Sequence, residues 1–239
     1  MADPTVLLVP GMLCDAALWA RVEGALELPV VHARVDAPSI TGMAEQVLAA
    51  VDGPLLVVGL SLGAIVGFEV ARLVPERVAG FAALATNAAA PRPEQHQGWS
   101  WMARRTRAGD FAGVVEEVLP TMYSRPSAGL EQEFRGMAER IGPRRFLGQL
   151  AAQGTRVDAR EALGSIRVPS LVVGGVEDAL CPPEFHREIA AGLPGSELHL
   201  VAGAGHLLPL EVPEVIAGLL AGLVRRCAPP AANQSSSAN

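Results

Sequence analysis

The sequence predicts an α/β fold in which helices cover both faces of a mostly parallel β-sheet. Three observations support this prediction. Short runs rich in β-branched and aliphatic residues alternate with amphipathic stretches of helical length, a pattern typical of parallel sheets with crossover helices. Half of the 239 residues are apolar, which is enough for one substantial core. A serine flanked by glycines follows one apolar run and precedes a helical stretch.

The predicted strands and helices alternate along the chain. Strands are expected at residues 6–9, 30–35, 55–60, 78–85, 170–174 and 197–201. Helices are expected at residues 16–26, 42–51, 62–73, 183–191 and 213–224. Ligands of such sheets bind at the carboxyl ends of the strands. Side chains that directly follow the predicted strands are therefore the first candidates for a functional site.

An all-helical insertion is expected between the fourth and fifth strands. Its helical pieces are predicted at residues 93–108, 111–122, 129–141 and 143–155. Such an insertion is typical of a lid over the active-site edge. The chain then divides into an α/β core, 1–90 and 161–226, and a helical lid, 91–160. The tail, 227–239, is poor in apolar residues and is expected to be disordered.

Charge is unevenly distributed between these parts. Residues 91–160 contain eleven arginines and eight acidic residues, a net charge of +3, whereas the rest of the chain carries −9. Arg104, Arg105 and Arg107 are the expected contacts for an acidic partner or substrate carrier. Helical spacing places Arg104 and Arg107 on one side and turns Arg105 away by about 100°. The alternative is that these arginines only solubilise a surface helix.

Composition excludes several classes of function. All nineteen basic residues are arginine, so the chain has no lysine for a Schiff base, a nucleotide phosphate or a Ser-Lys dyad. A net charge of −6 argues against nucleic-acid binding. Cys14, Cys181 and Cys227 lack metal-site spacing, so neither a disulfide framework nor a metal site is expected. With no basic leader and no apolar stretch of membrane-spanning length, a cytoplasmic protein without membrane contact is expected.

The pentapeptide Gly59-Leu60-Ser61-Leu62-Gly63 is the strongest motif. It lies between a predicted strand and a predicted helix, the setting of a nucleophile elbow. Such a tight turn strains the central residue, and a side chain at either glycine would clash with the neighbouring strand or helix. Ser61 is therefore expected to project from the sheet edge, close to the N-terminus of the next helix, where an anion is stabilised.

A serine nucleophile needs a base and a group that orients the base. His206 fits the base, because two glycines let the loop curl after the last strand. Asp178 is the preferred orienting acid, three residues after Gly175 in the loop after the fifth strand, and the neighbouring Glu177 is expected to face solvent. The other histidines lack such a context. His32, His186 and His199 are expected to be packing or surface residues, and His96 is a weak candidate for the pocket.

Two backbone N–H groups are expected to form an oxyanion hole. One belongs to Leu62, directly after the nucleophile, and the other to Met12 in the loop after the first strand. Gly11 lets this loop bend towards the elbow, although Pro10-Gly11 is also compatible with an ordinary surface turn. Apolar side chains of the lid and loops are expected either to form an acyl pocket or to pack on one another. These are Leu13, Trp99, Trp101, Met102, Met122, Tyr123, Phe134 and Leu207.

Together these motifs resemble the α/β-hydrolase superfamily, and within it the small lidded carboxylesterases similar to pimeloyl-[acyl-carrier protein] methyl ester esterase. The resemblance covers residues 5–224 and depends on GLSLG, the stretch from Gly175 to Pro182 and GAGHLLPLEVPE. The family usually has His-Gly before the oxyanion residue, where this sequence has Pro10-Gly11. The resemblance implies that Ser61, His206 and Asp178 cleave an ester or thioester, either free or linked to a carrier protein, through an acyl-enzyme and without a cofactor.

Fold does not select one reaction among those of the superfamily. The same triad in related proteins performs acyl transfer, cyclisation or elimination in natural-product assembly. A third possibility is a non-catalytic homologue that binds a ligand or a protein. The presence of Ser61, Asp178 and His206 argues against this possibility. The sequence leaves the acyl group, the leaving group and the oligomeric state open.

Overall fold

A six-stranded β-sheet forms the centre of the computed structural model, which describes residues 3–227. The strands are Thr5–Val9 (β1), Val30–His32 (β2), Leu55–Leu60 (β3), Val78–Leu84 (β4), Ser170–Gly175 (β5) and Glu197–Val201 (β6). Their order is β2-β1-β3-β4-β5-β6, and every neighbouring pair is parallel. The predicted α/β class is confirmed. All six carboxyl ends lie at one edge of the sheet.

Helices connect the strands and form the predicted insertion. Within the described residues the α-helices are Ile40–Leu48 (α1), Leu62–Leu73 (α2), Pro93–Arg107 (α3), Phe111–Val118 (α4), Ala128–Gln153 (α5), Pro183–Gly192 (α6), Leu208–Glu211 (α7) and Pro213–Cys227 (α8). We call residues 91–160, which contain α3, α4 and α5, the helical insertion. None of the helices within residues 3–227 is both long enough and apolar enough to cross a membrane.

The sheet separates two hydrophobic cores, because side chains alternate between its faces. Along β1, Val6 and Leu8 pack in one core, and Leu7 and Val9 pack in the other. Helices α1, α2 and α6 cover the face of Leu7, and α8 covers the face of Val6. The helical insertion joins the core on the α8 side through residues such as Phe134. Packing against that core holds the insertion over the carboxyl edge of the sheet.

Three predicted elements differ from the structure. Residues 16–26 do not form one helix but two short 3-10 turns, Ala16–Trp19 and Glu23–Ala25, since Asp15 caps a tight turn and Gly24 weakens helical structure. The second strand ends at His32, because the carbonyl of Val35 bonds to a side chain of the insertion instead of a strand.

The third difference concerns the insertion. Helix α4 ends at Val118 and continues as a 3-10 turn, because Pro120 has no N–H to donate. The predicted break between residues 141 and 143 is present as a kink within α5, where Gly142 has φ 69° and ψ 169° and precedes Pro143. Of the tail predicted to be disordered, Cys227 closes α8 and residues 228–239 lie outside the described residues.

Candidate active site

Ser61 occupies the turn between β3 and α2, with φ 54° and ψ −114°. Few non-glycine residues adopt such a positive φ, and the neighbouring glycines show why the turn persists. A Cβ at Gly59 would lie 2.4 Å from the Ala64 nitrogen, and a Cβ at Gly63 would lie 2.0 Å from the Val9 oxygen. Close packing of strand, turn and helix therefore requires both glycines and holds Ser61 in its strained conformation.

Hydrogen bonds behind Ser61 fix the turn in place. Its N–H donates to Leu84 O at 2.8 Å, and the Thr86 hydroxyl donates to Ser61 O at 3.0 Å. The backbone N–H of Thr86 donates to Nε2 of His186, at 3.2 Å. His186 is fully buried, and burial lowers the pKa of its imidazole, which favours the neutral ring that can accept this bond. His186, predicted to be a packing or surface residue, is buried and supports the Ser61 turn from behind.

Asp178 and His206 form a buried pair. Nδ1 of His206 lies 2.8 Å from Oδ2 of Asp178. The other carboxylate oxygen, Oδ1, accepts the N–H groups of Leu180 and Cys181 at 2.8 and 2.9 Å. Burial alone would raise the pKa of Asp178, but His206 and these N–H donors hold it below its ordinary value. An ionised Asp178 thus fixes the ring of His206 and leaves Nε2 free for a proton.

Glu177 is exposed and points away from this pair. Its Oε2 accepts the N–H of Gly203 at 2.8 Å, in the loop that carries His206. The helical insertion holds the same loop from the other side, because Met122 O accepts the N–H groups of His206 and Leu207 at 3.2 and 3.1 Å. The structure brings His206 together with Asp178 and not with Glu177.

Two free amides lie near Ser61. Neither the Met12 nor the Leu62 N–H donates a hydrogen bond within residues 3–227, and Leu62 is the first residue of α2, where the N–H has no intrahelical partner. Next to Met12, Leu13 has φ 63° and donates its N–H to Oε1 of Gln149 at 3.1 Å. Gln149 is fully buried in α5 and donates in turn to Val35 O at 3.2 Å. Sequence analysis did not identify Gln149, which fixes the loop that has Pro10-Gly11 in place of His-Gly.

Ser61 and His206 border a cavity of about 310 Å³ beneath the helical insertion. Of the predicted pocket residues, those that line it are Leu13, Trp99, Trp101, Met102, Met122 and Leu207. Tyr123 and Phe134 do not line it, so the prediction is wrong for these two. Tyr123 donates its hydroxyl to Leu130 O, and Phe134 is completely buried among the side chains that join the insertion to the core. His96 also lies outside this cavity, with its ring edge against Trp99.

Asp178, Cys181 and His206 could offer metal ligands, because their donor atoms lie within 4.8 Å of one another. The donor set fits a proton-transfer pair better, since both oxygens of Asp178 and Nδ1 of His206 already share hydrogen bonds. Burial and the negative charge of Asp178 raise the pKa of the Cys181 thiol, which opposes the thiolate that a metal needs. Cys14 is a second buried free thiol at the cavity wall.

Polar residues that sequence analysis missed form another part of the wall. Asn87 follows β4, Gln95 lies on α3, and Gln153 and Arg156 lie at the end of α5 and just after it. Gln149 and Gln153 stand one helical turn apart in an otherwise apolar stretch. Buried polar residues at such spacing are the one sequence signal that points to them.

The fold and this arrangement are those of an α/β hydrolase, and residues 6–219 match the Alpha/beta hydrolase family, to which the chain belongs. It is similar to the pimeloyl-[acyl-carrier protein] methyl ester esterase of Neisseria meningitidis, with 27% identity over 187 residues, 75% of this chain and 72% of the relative. The Stenotrophomonas maltophilia protein of the same name is 29% identical over 195 residues, 76% of this chain and 73% of its own length.

A solved structure agrees with these sequence relatives. A thermophilic esterase from Thermogutta terrifontis superposes with a TM-score of 0.88 at 26% identity, covering 95% of this chain and 91% of that chain. The resemblance to the esterases of this superfamily is therefore confirmed at the level of family and fold.

Proposed function

We propose that this protein is a serine hydrolase that cleaves a carboxylic ester or thioester through an acyl-enzyme. One observation supports the proposal above all: a strained Ser61 borders the same cavity as the imidazole of a buried Asp178–His206 pair. This is the combination of nucleophile, base and orienting acid that acyl transfer requires. The relatives named as esterases agree with it.

Each group has a definite role in the proposed reaction. Ser61 Oγ attacks the carbonyl carbon while its proton passes to Nε2 of His206, and the N–H groups of Met12 and Leu62 stabilise the oxyanion. The bond to the leaving oxygen or sulfur then breaks, and His206 returns the proton to that atom. Water then attacks the acyl-enzyme while His206 accepts its proton, the bond to Ser61 Oγ breaks, and His206 returns the proton to Oγ as the acid leaves. Asp178 holds the ring throughout.

The helical insertion acts in this proposal as the lid of the acyl pocket. It supplies Trp99, Trp101, Met102 and Met122 to the cavity wall, so it excludes water and contacts the acyl chain. Because the sequence relatives are named for an ester linked to an acyl-carrier protein, we also propose that a carrier can deliver the substrate.

The experiment that tests the nucleophile is fluorophosphonate labelling followed by intact-mass and peptide mass spectrometry. One adduct is expected, on Ser61, and Ser61→Ala should abolish it. Ser100→Ala is the matched control, because Ser100 is exposed on α3 and should leave labelling unchanged. A panel of p-nitrophenyl esters of graded chain length then defines the acyl preference. Labelling that persists in Ser61→Ala would overturn the assignment.

A further inference from the structure

Arg156 is a buried arginine in the wall of the cavity that Ser61 borders. It lies just after α5 and is 7% exposed. The same side chain also lines a smaller cavity of about 60 Å³ behind α2, so it stands between the two spaces. Burial of a guanidinium is unusual, because removing a charge from water is unfavourable unless a counter-ion offsets the lost hydration.

All hydrogen-bond acceptors of Arg156 in the structure are neutral. Nη2 donates to Oδ1 of Asn87 at 2.5 Å and to Ala89 O at 2.7 Å, and Nη1 donates to Oε1 of Gln153 at 3.3 Å. A guanidinium has five N–H donors. Within residues 3–227, Nε–H and the second N–H of Nη1 have no acceptor, so two donors remain for a group in one of the two cavities that Arg156 lines.

No carboxylate of the described residues neutralises Arg156. The acidic side chains nearest along its loop and beside the smaller cavity are already paired, Asp158 with Arg160 and Glu69 with Arg72. Other arginines with hydrogen-bonded carboxylates, such as Arg135 and Arg140, lie at the surface, where the pairing is least needed. Burial lowers the pKa of Arg156, which shows that its surroundings disfavour the charge. Arg156 is the most buried arginine of the described residues, and it has no counter-ion there.

The surroundings of Arg156 form a polar end in a mostly apolar cavity. Asn87 and Gln153 hold the guanidinium on one side, and Gln95 of α3 lines the same cavity. A planar guanidinium whose fork is fixed by neighbouring groups is suited to a carboxylate, because less side-chain entropy is lost on binding. An anionic group in the cavity would supply the missing counter-ion.

We propose that the substrate of this enzyme is an ester that carries a free carboxylate, and that Arg156 binds this carboxylate while Ser61 attacks the ester. The inference rests on the proposed hydrolase function, since it names the substrate class of the same cavity. It assigns Arg156 as the specificity-determining residue, with Asn87 and Gln153 as the residues that position it.

Half-esters and their half-amides provide the test. Monomethyl succinate, glutarate and adipate carry the carboxylate on the acyl side, and 4-acetoxybutyrate carries it on the alcohol side; each is compared with the neutral amide of the same length. For one of these two sets of substrates, acyl-side or alcohol-side, kcat/KM is expected to be more than tenfold higher for the carboxylate than for the matching amide. The set that shows this preference identifies the side of the ester bond that Arg156 contacts.

Two variants and a control decide the role of Arg156. Arg156→Gln should reduce the preference ratio by at least tenfold, as should Gln153→Glu, which keeps the guanidinium but supplies an internal carboxylate. Arg160→Gln is the matched control, because Arg160 is exposed and paired with Asp158, and it should leave the ratio unchanged. If Arg156→Gln fails to fold by circular dichroism, Gln153→Glu decides alone. A purely structural Arg156 predicts an unchanged ratio in Gln153→Glu.

Binding to Ser61→Ala separates failure of this inference from failure of the proposed function. Calorimetric titration with glutarate and glutaramide measures the affinity of the carboxylate subsite without any turnover. Glutarate is expected to bind more tightly than glutaramide when Arg156 is present, and this difference should be lost when Arg156→Gln or Gln153→Glu is added. Hydrolysis of neutral esters with no preference for the carboxylate, together with equal binding of glutarate and glutaramide, would overturn the carboxylate subsite alone. Absence of all ester hydrolysis and of Ser61 labelling would overturn the hydrolase function, whatever the titration shows.

Discussion

Asp178 and Glu177 are neighbouring carboxylates in very different surroundings. Asp178 is buried, accepts two N–H groups through one oxygen and contacts His206 through the other. Glu177 is exposed and accepts only a loop N–H, that of Gly203. In the proposed mechanism only Asp178 can hold His206 in the tautomer that leaves Nε2 unprotonated.

Asp178→Asn should therefore lower kcat by about 10⁴-fold, since an amide favours the wrong tautomer of the histidine. Glu177→Gln should be nearly silent, because the amide oxygen can still accept the N–H of Gly203. Steady-state hydrolysis of a p-nitrophenyl ester by both variants makes the comparison. The opposite ranking of the two variants would assign the orienting role to Glu177.

At the level of secondary-structure elements, the second half of α5 belongs to the site as much as to the insertion. Gln149 is completely buried and connects the Leu13 N–H to the carbonyl of Val35. The hydrogen bond from Leu13 therefore fixes the loop of Met12 to Gln149 of α5, 136 residues further along the chain. A buried amide with both ends bonded keeps Leu13 at its positive φ and fixes the direction of the neighbouring Met12 N–H.

Gln149→Leu should lower kcat at least tenfold, equivalent to about 1.4 kcal/mol of transition-state stabilisation, with a smaller change in KM. The reason is that the Leu13 N–H loses its acceptor and the oxyanion loop loses its fixed position. Steady-state kinetics with a p-nitrophenyl ester provides the measurement. Gln132→Leu is the control, since Gln132 is exposed on the same helix. Equal kcat values for wild type and Gln149→Leu would contradict this role.

Local signals in the sequence predicted most elements but not the contacts between them. The run 55–60 and the glycines around Ser61 fix a strand and a turn through their own sterics, so both could be predicted from sequence. The helix predicted at residues 16–26 is replaced by 3-10 turns because Asp15 and Gly24 favour turns and because Leu18 and Trp19 are fully buried against distant segments. Gln149 and Arg156 escaped prediction for the same reason, because their roles depend on partners that are distant in sequence.

At the scale of the whole molecule, the helical insertion carries +3 and the remainder −9. The structure distinguishes the three arginines of α3. Arg105 lies over Trp101 and pairs with Asp110 and Glu117. These carboxylates offset its charge, so it is not a candidate contact for an acidic partner. Arg104 and Arg107 are exposed, share one surface depression and have no carboxylate within 4 Å in the described part of the chain. These two therefore remain as the candidate contacts for an acidic carrier.

Arg104→Glu combined with Arg107→Glu should reduce kcat/KM for an ester linked to an acyl-carrier protein by about tenfold at low salt, since steered association depends on local charge. The effect should shrink at moderate ionic strength, where charges are screened beyond about 8–10 Å. Hydrolysis of a small neutral ester serves as the internal reference.

The control for this prediction combines Arg167→Glu with Arg225→Glu, which gives the same net charge change outside the insertion, at exposed positions. It should leave the carrier-linked reaction close to that of the wild type. The contrary outcome is that kcat/KM depends on ionic strength in the same way for carrier-linked and free esters, and that Arg104→Glu with Arg107→Glu changes neither. It would show that the exposed arginines only solvate the helix.

The kink at Gly142 sets the place where this insertion can be exchanged between enzymes. Before it, Arg135 of α5 pairs with Glu116 of α4; after it come Gln149 and Gln153, which hold the oxyanion loop and Arg156. A chimera that replaces all of residues 91–160 would remove Gln149, Gln153 and Arg156 together with the helices above the cavity. A graft that ends at Gly142 would import new side chains above the cavity and retain Gln149, Gln153 and Arg156, but the backbone carbonyl at position 122 would still have to accept the N–H groups of His206 and Leu207. Side-chain changes in about the first three quarters of the insertion, residues 91–142, can therefore alter acyl-chain specificity while Gln149, Gln153 and Arg156 stay in place.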